Sequence, residues 1–149
     1  MPVAYCFDNE RELLLYGGFG HCTGQELVHA EETARGDPRR RTGMRILLDL
    51  RAVDELDVAL DDLKHGVELN ARLAADNWIL EKTAVLIRNP HDDIVAELYE
   101  ELARPVVDLH MGTFTALRPA LDWLGLAGQS SVVERLIRDL RSHHFHGNA

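Results

Sequence analysis

Short apolar runs alternate along the chain with longer stretches in which apolar residues return every three or four positions. The clearest run is Met44-Arg45-Ile46-Leu47-Leu48-Asp49-Leu50, preceded by Gly43 and followed by charge. Such a run suits a strand buried on both faces, and it is the expected central strand. Val3 to Phe7 and Leu13 to Phe19 read as two further strands. Asp8-Asn9-Glu10-Arg11 between them carries turn residues, so a hairpin is the simplest connection. Thr83 to Ile87 and Val106 to Met111 complete a set of five strands.

The stretches between them have helical spacing. Thr23-x-x-Glu26 is a capping-box pattern that opens a helix with Leu27, Ala30 and Ala34 on one face, and Gly36-Asp37-Pro38 stops it. Asp54-Glu55-Leu56-Asp57 leads a predicted helix to about Asn77, with Leu56, Leu60, Leu63, Val67 and Ala71 apolar. Its acidic cluster, Asp54, Glu55, Asp57, Asp61 and Asp62, would lie in the first turns, where the helix dipole favours negative charge. Asn89-Pro90 gives an N-cap followed by proline at the first helical position, with Ile94, Val95, Leu98 and Leu102 as the expected buried stripe. Pro119 to Leu124 reads as a short helix ended by Gly125. A second capping box, Ser131-x-x-Glu134, opens a last helix with Val132, Val133, Leu136, Ile137 and Leu140 apolar.

This order predicts an α/β fold: a five-stranded mixed, mostly parallel sheet opened by a β-hairpin, with four helices plus an extra C-terminal helix. The antiparallel strand belongs at an edge. Residues 1–126 form the expected α/β domain. Residues 127–149 form an amphipathic helix and a His-containing tail that packs on the same domain or on a partner subunit. Gly17, Gly18 and Gly20 permit a bulge or a close backbone approach, and their spacing is not that of a dinucleotide fingerprint.

Charge and composition narrow the functions. A net charge of −9 argues against nonspecific nucleic-acid binding, which needs excess Lys and Arg. No apolar stretch approaches the roughly 20 residues of a membrane span, and the N-terminus lacks the pattern of a signal peptide. Cys6 and Cys22 are too few for a disulfide framework, so a cytoplasmic, reduced setting and a packing role are expected. Arg35, Arg39, Arg40, Arg41 and Arg45 form one basic cluster at a helix end and loop. It either complements the helix dipole or receives an anion or an acidic partner.

Three segments carry a family resemblance: Asp37-Pro38-Arg39 with Gly43-Met44-Arg45-Ile46-Leu47-Leu48-Asp49, then Thr83-Ala84-Val85-Leu86, then Phe114 with Ala120-Leu121-Asp122-Trp123-Leu124-Gly125. Over roughly residues 3 to 126 the chain resembles the SpoIIAA-like proteins, relatives of the anti-sigma-factor antagonist (STAS) domains that are also grouped with the lipid-binding CRAL-TRIO class. The resemblance implies a five-stranded sheet with helices, often paired as a dimer, and usually no assigned activity; a homodimer and a regulatory protein partner are the expected associations. In the STAS antagonists a partner kinase phosphorylates a serine after the central strand. Here that stretch reads Asp49-Leu50-Arg51-Ala52-Val53-Asp54-Glu55-Leu56, with no Ser or Thr, so the phosphoswitch does not carry over.

Parallel sheets bind ligands outside the carboxyl ends of their strands. The residues expected there are Asp49 and Arg51, Arg88, Asn89 and His91, and His110 with Met111. They could hold a small anionic or polar ligand by charge-assisted hydrogen bonds. The competing reading makes Asn89 a helix cap, Asp49 and Arg51 local partners, and both histidines surface residues. No nucleophile elbow occurs, and the serines, Ser130, Ser131 and Ser142, all lie near the C-terminus. No catalytic residue, cofactor or metal is therefore expected, although His143-His144-Phe145-His146 has chelating side chains. The expected function is a noncatalytic regulatory or interaction module. The alternative is a binder of a small apolar or anionic metabolite, including a lipid, at the strand ends.

Overall fold

A computed structural model describes residues 2–76, 78 and 82–146. Its five strands are β1 (Val3–Asp8), β2 (Leu13–Thr23), β3 (Arg45–Asp57), β4 (Thr83–Leu86) and β5 (Met111–Phe114). Its helices are α1 (Gly24–Arg35), α2 (Leu60–Ala75), α3 (Pro90–Ala103), α4 (Leu117–Trp123) and α5 (Ser130–His146). The strands form one sheet in chain order, β1-β2-β3-β4-β5. β1 is antiparallel to β2 at one edge, and every other pair is parallel. The Gly43-to-Leu50 run thus supplies the middle strand.

Chain-order pairing fixes the layers. Each parallel step crosses the sheet in the same direction, so right-handed crossovers put α1, α2 and α3 on one face. The side chains agree. Leu14, Tyr16, Leu50 and Val85 meet Ala30 and Ala34 of α1, while Val67 of α2 meets Ala103 and Val107 at the end of α3. The opposite face, Leu13, Leu15, Leu47, Ala84 and Leu86, is covered by α4 and α5 through Leu117, Leu121, Val133, Ile137 and Leu140. Two covered faces explain why β3 begins with unbroken apolar residues.

Several boundaries depart from the sequence reading. The residues 51–57 expected to open a helix continue β3 instead. Its partner is the far half of β2, with Phe19 opposite Ala52 and Thr23 opposite Asp57. Register shifts between Gly17 and Phe19 and between Gly20 and His21 break the two-residue alternation there, which hides the strand. Gly20 lies in the left-handed region at φ +58, and a Cβ on Gly18 would come within 2.9 Å of Val53. Only Asp61 and Asp62 of the acidic cluster lie in the first turn of α2, and the expected end at Asn77 falls outside the described residues.

The last strand is Met111–Phe114, not 106–111, because Val107 turns into the α2–α3 cluster while Thr83 pairs with Met111. On α3, Ile94 and Leu98 are exposed rather than buried. The inward stripe runs through Asp92, Ala96, Tyr99 and Ala103, where small side chains let the helix approach its neighbours. Helix α5 starts at Ser130, so Ser131 is inside it rather than at its cap.

An ionic cluster ties α5 to the central strand. Asp49 is only 3% exposed and faces the α5 side. It accepts from Arg51 Nε at 3.0 Å and Nη2 at 3.1 Å, and from Arg141 Nη2 at 3.2 Å. Removing a buried carboxylate strands the charges that faced it. Asp49→Ala is expected to cost about 3 kcal/mol of stability in urea unfolding, toward the low end for a buried pair because both guanidinium groups reach solvent. Arg141→Ala should cost less, since Arg51 continues to satisfy the carboxylate.

Candidate functional site

The three-helix layer does not close fully onto the sheet. Between them lies a cavity of about 220 Å³. Its floor is the sheet, through Tyr16, Ile46, Leu48, Val85 and Met111, and its roof includes Leu27 of α1, Leu63 and Gly66 of α2, and Val95 and Ala96 of α3. These walls are mainly aliphatic. Gly66 lets Tyr99 of α3 approach α2: a Cβ there would sit 3.1 Å from its ring.

Polar groups on the cavity wall form a connected network on one side. The carboxylate of Glu31 accepts from Tyr16 Oη at 2.7 Å and from Arg40 Nη1 at 2.7 Å. Arg35 Nε lies 3.6 Å from the same oxygen. The remaining Arg35 nitrogens donate to the Leu69 carbonyl and the Asn70 side chain, and Asn70 in turn bonds Tyr99. Burial, then the neighbouring Glu31, pushes the Tyr16 phenol well above its ordinary range. Burial pushes the Tyr99 phenol up to about 12. The basic cluster is thus largely committed within the chain. Arg39 is bonded to Asp37, Arg41 to the Asn9 carbonyl and Arg45 to the Arg11 carbonyl.

Asp92 is different. It is only 4% exposed, it lines the cavity, and its Oδ2 has no hydrogen-bond partner among the described residues. The three helices of this layer each carry an acid at the third position, where a carboxylate can satisfy the N-cap amide. Glu26 does so to Thr23 N at 3.0 Å, and Asp62 to Ala59 N at 2.9 Å. Asp92 makes no such bond to Asn89. Burial raises its pKa, opposed by His91 and Arg88.

The residues expected at the strand ends are spread over three places. Asp49 and Arg51 are bonded to each other on the α5 side of the sheet. Arg88 and Asn89 stand between β4 and α3, and His91 lies in the first turn of α3. Arg88 donates to the Val53 carbonyl at 3.0 Å, Asn89 occupies the N-cap position without a side-chain cap bond, and His91 is exposed. His110 precedes β5, so it lies at the opposite end of the sheet from Arg88. None of these six lines the cavity, but Met111, expected beside His110, does. The chelating tail 143–146 has no described side chains.

Sequence reasoning missed Tyr16, Glu31, Arg40 and Asp92 as neighbours of one cavity. The available signal was Asp92 itself, an acid in phase with Ala96, Tyr99 and Ala103 on what proves to be the inward stripe. Because folded Asp92 holds its proton more tightly than the unfolded chain does, stability falls as pH rises above the ordinary carboxylate value of 3.8. Asp92→Asn should be the more stable protein at neutral pH, with the two converging near about pH 3, as read from urea midpoints across pH.

No family model and no curated protein matches the chain. Among solved structures it is similar to an uncharacterised protein of the DUF3478 family with a SpoIIAA-like fold from Shewanella loihica PV-4. The two superpose with a TM-score of 0.53 at 16% identity, over 82% of this chain and 93% of that one. With its hairpin-opened, mostly parallel five-stranded sheet, the chain therefore has a SpoIIAA-like α/β fold.

Proposed function

We propose that this chain is a noncatalytic module that takes up a small, mainly apolar molecule between its sheet and the α1–α3 layer. The cavity of about 220 Å³ carries the reading. Protein interiors are close-packed, and an apolar void of this size is a ready site for an apolar guest. It has room for about seven water-sized groups, which makes the ligand smaller than a typical drug-sized molecule. The thiols support a noncatalytic role. Burial pushes Cys6 up to about 11 and Cys22 up to about 12, so neither offers a thiolate at neutral pH. The ligand thus sits beneath the helices. Of the strand-end residues, Met111 lines the cavity, while Arg88, Asn89 and His91 flank the wall residue Asp92 in sequence.

Benzene is a suitable first probe because it fits such voids and makes no hydrogen-bonding demand. In an NMR titration it should perturb the amides of β3, β4 and α3 around the cavity. Leu48→Phe, which fills the floor, should weaken binding about tenfold or more and leave the thermal midpoint equal or higher. Undiminished binding to Leu48→Phe would place the guest elsewhere.

A second reading, a homodimer or a complex with a regulatory protein, is favoured by one observation. Ile94 is 62% exposed and Leu98 43%, one turn apart on the outer side of α3, and Val106 beyond it is 57% exposed. Light scattering across protein concentration should then show a dimer that Ile94→Glu dissociates. A monomer at every concentration, with no partner recovered, would remove this reading.

A further inference from the structure

The cavity's polar inventory specifies the kind of molecule it takes, given the proposal that it is a binding site. Its arginines are tied up within the chain. Arg40 is bonded to Glu31, and Arg35 lies 3.6 Å from that same carboxylate and donates to the Leu69 carbonyl and the Asn70 side chain, leaving only its Nε without a hydrogen bond. Asp92 makes no ion pair or side-chain hydrogen bond among the described residues, although Arg88 and His91 act on its charge from further away. Its carboxyl is buried in the wall, and Oδ2 receives no hydrogen bond from its own helix start, from α2 or from the sheet. The role that usually places an acid at this helical position is unfilled here, whereas Glu26 and Asp62 fill it on α1 and α2. A buried acceptor left unpaired is costly, and a donor supplied from inside the cavity removes that cost.

We infer that Asp92 is the polar anchor of the cavity, and that its ligand carries a hydrogen-bond-donating head, a hydroxyl or an ammonium, on an apolar body of about six carbons. The head meets the Asp92 carboxyl at the start of α3. The body lies along Leu48 and Val85 beneath Leu63 and Ala96. At Asp92 an anionic head is disfavoured, because it would face a carboxylate with no hydrogen bond between them. The ligand class is thus a small aliphatic alcohol or amine rather than a fatty acid.

The test compares 1-hexanol, hexylamine, hexanoate and benzene on the full-length protein by NMR titration, with Asp92→Asn and Asp92→Leu beside the parent. The parent should bind hexanol or hexylamine about tenfold or more tightly than hexanoate. Asp92→Leu should bind hexanol and hexylamine about tenfold more weakly than the parent and still take up benzene unchanged. Asp92→Asn separates the two heads. It should keep hexanol, whose hydroxyl can donate to the amide oxygen, and lose hexylamine about tenfold, because only the ammonium depends on the carboxylate's charge. Benzene binding with no preference among heads, or hexanol and hexylamine binding undiminished in Asp92→Leu, overturns the anchor and leaves the cavity proposal standing. Failure of all four probes overturns both.

Discussion

The structure depends on a central strand that needs cover on both sides. Ile46, Leu48 and Leu50 point to one face of β3, and Leu47 and Asp49 point to the other. Chain-order pairing sends all three crossover helices to the same face, so α1, α2 and α3 together cannot serve the second. That face is left to the last third of the chain. α4 and α5 cover it, and Asp49 fastens α5 in place through Arg141. The C-terminal helix is therefore part of the core: Val133 is fully buried, and Ile137 and Leu140 nearly so.

The two faces are packed differently, and this difference makes room for function. Leu13, Leu15, Leu47, Leu86, Leu121 and Val133 fill the α4–α5 side as side chains with almost no exposure. On the other side the helices are held apart from the sheet. Tyr16, Glu31, Arg40 and Arg35 form a polar prop between α1, the loop after it and the sheet, while Tyr99 and Asn70 brace α2 against α3. Polar bridges of this kind fix spacing by bond length rather than by collapse, and an apolar space stays open among them. Asp92 lies in the wall of that space without a bridge of its own.

Much of the fold was legible in the sequence. The Thr23–Glu26 capping box is formed as read, the hairpin is antiparallel at the sheet edge, and the Gly43-to-Leu50 run gives the middle strand. The errors have physical causes. Bulges at the β2 glycines break the alternation that would have marked 51–57 as strand. The four-residue strand Met111–Phe114 is too short to announce itself beside the more apolar Val106 and Val107. Ile94 and Leu98 look like a core stripe, yet the helix turns its smaller residues inward. The candidate site was least legible. A cavity is a property of how layers fail to meet, and no residue spacing encodes it. Asp49 drew attention as a charge at the end of an apolar run, and its partners are Arg51 and Arg141.

The most direct test of the central claim is a crystal structure of the protein under xenon pressure. Xenon enters dry apolar cavities and needs no hydrogen-bonding match, so it reports the space itself rather than any choice of ligand. The account predicts a xenon atom in van der Waals contact with Leu48, Val85 and Leu63, beneath helices that keep their distance from the sheet. A crystal with no xenon there, and with α2 and α3 settled onto the strands, would contradict it.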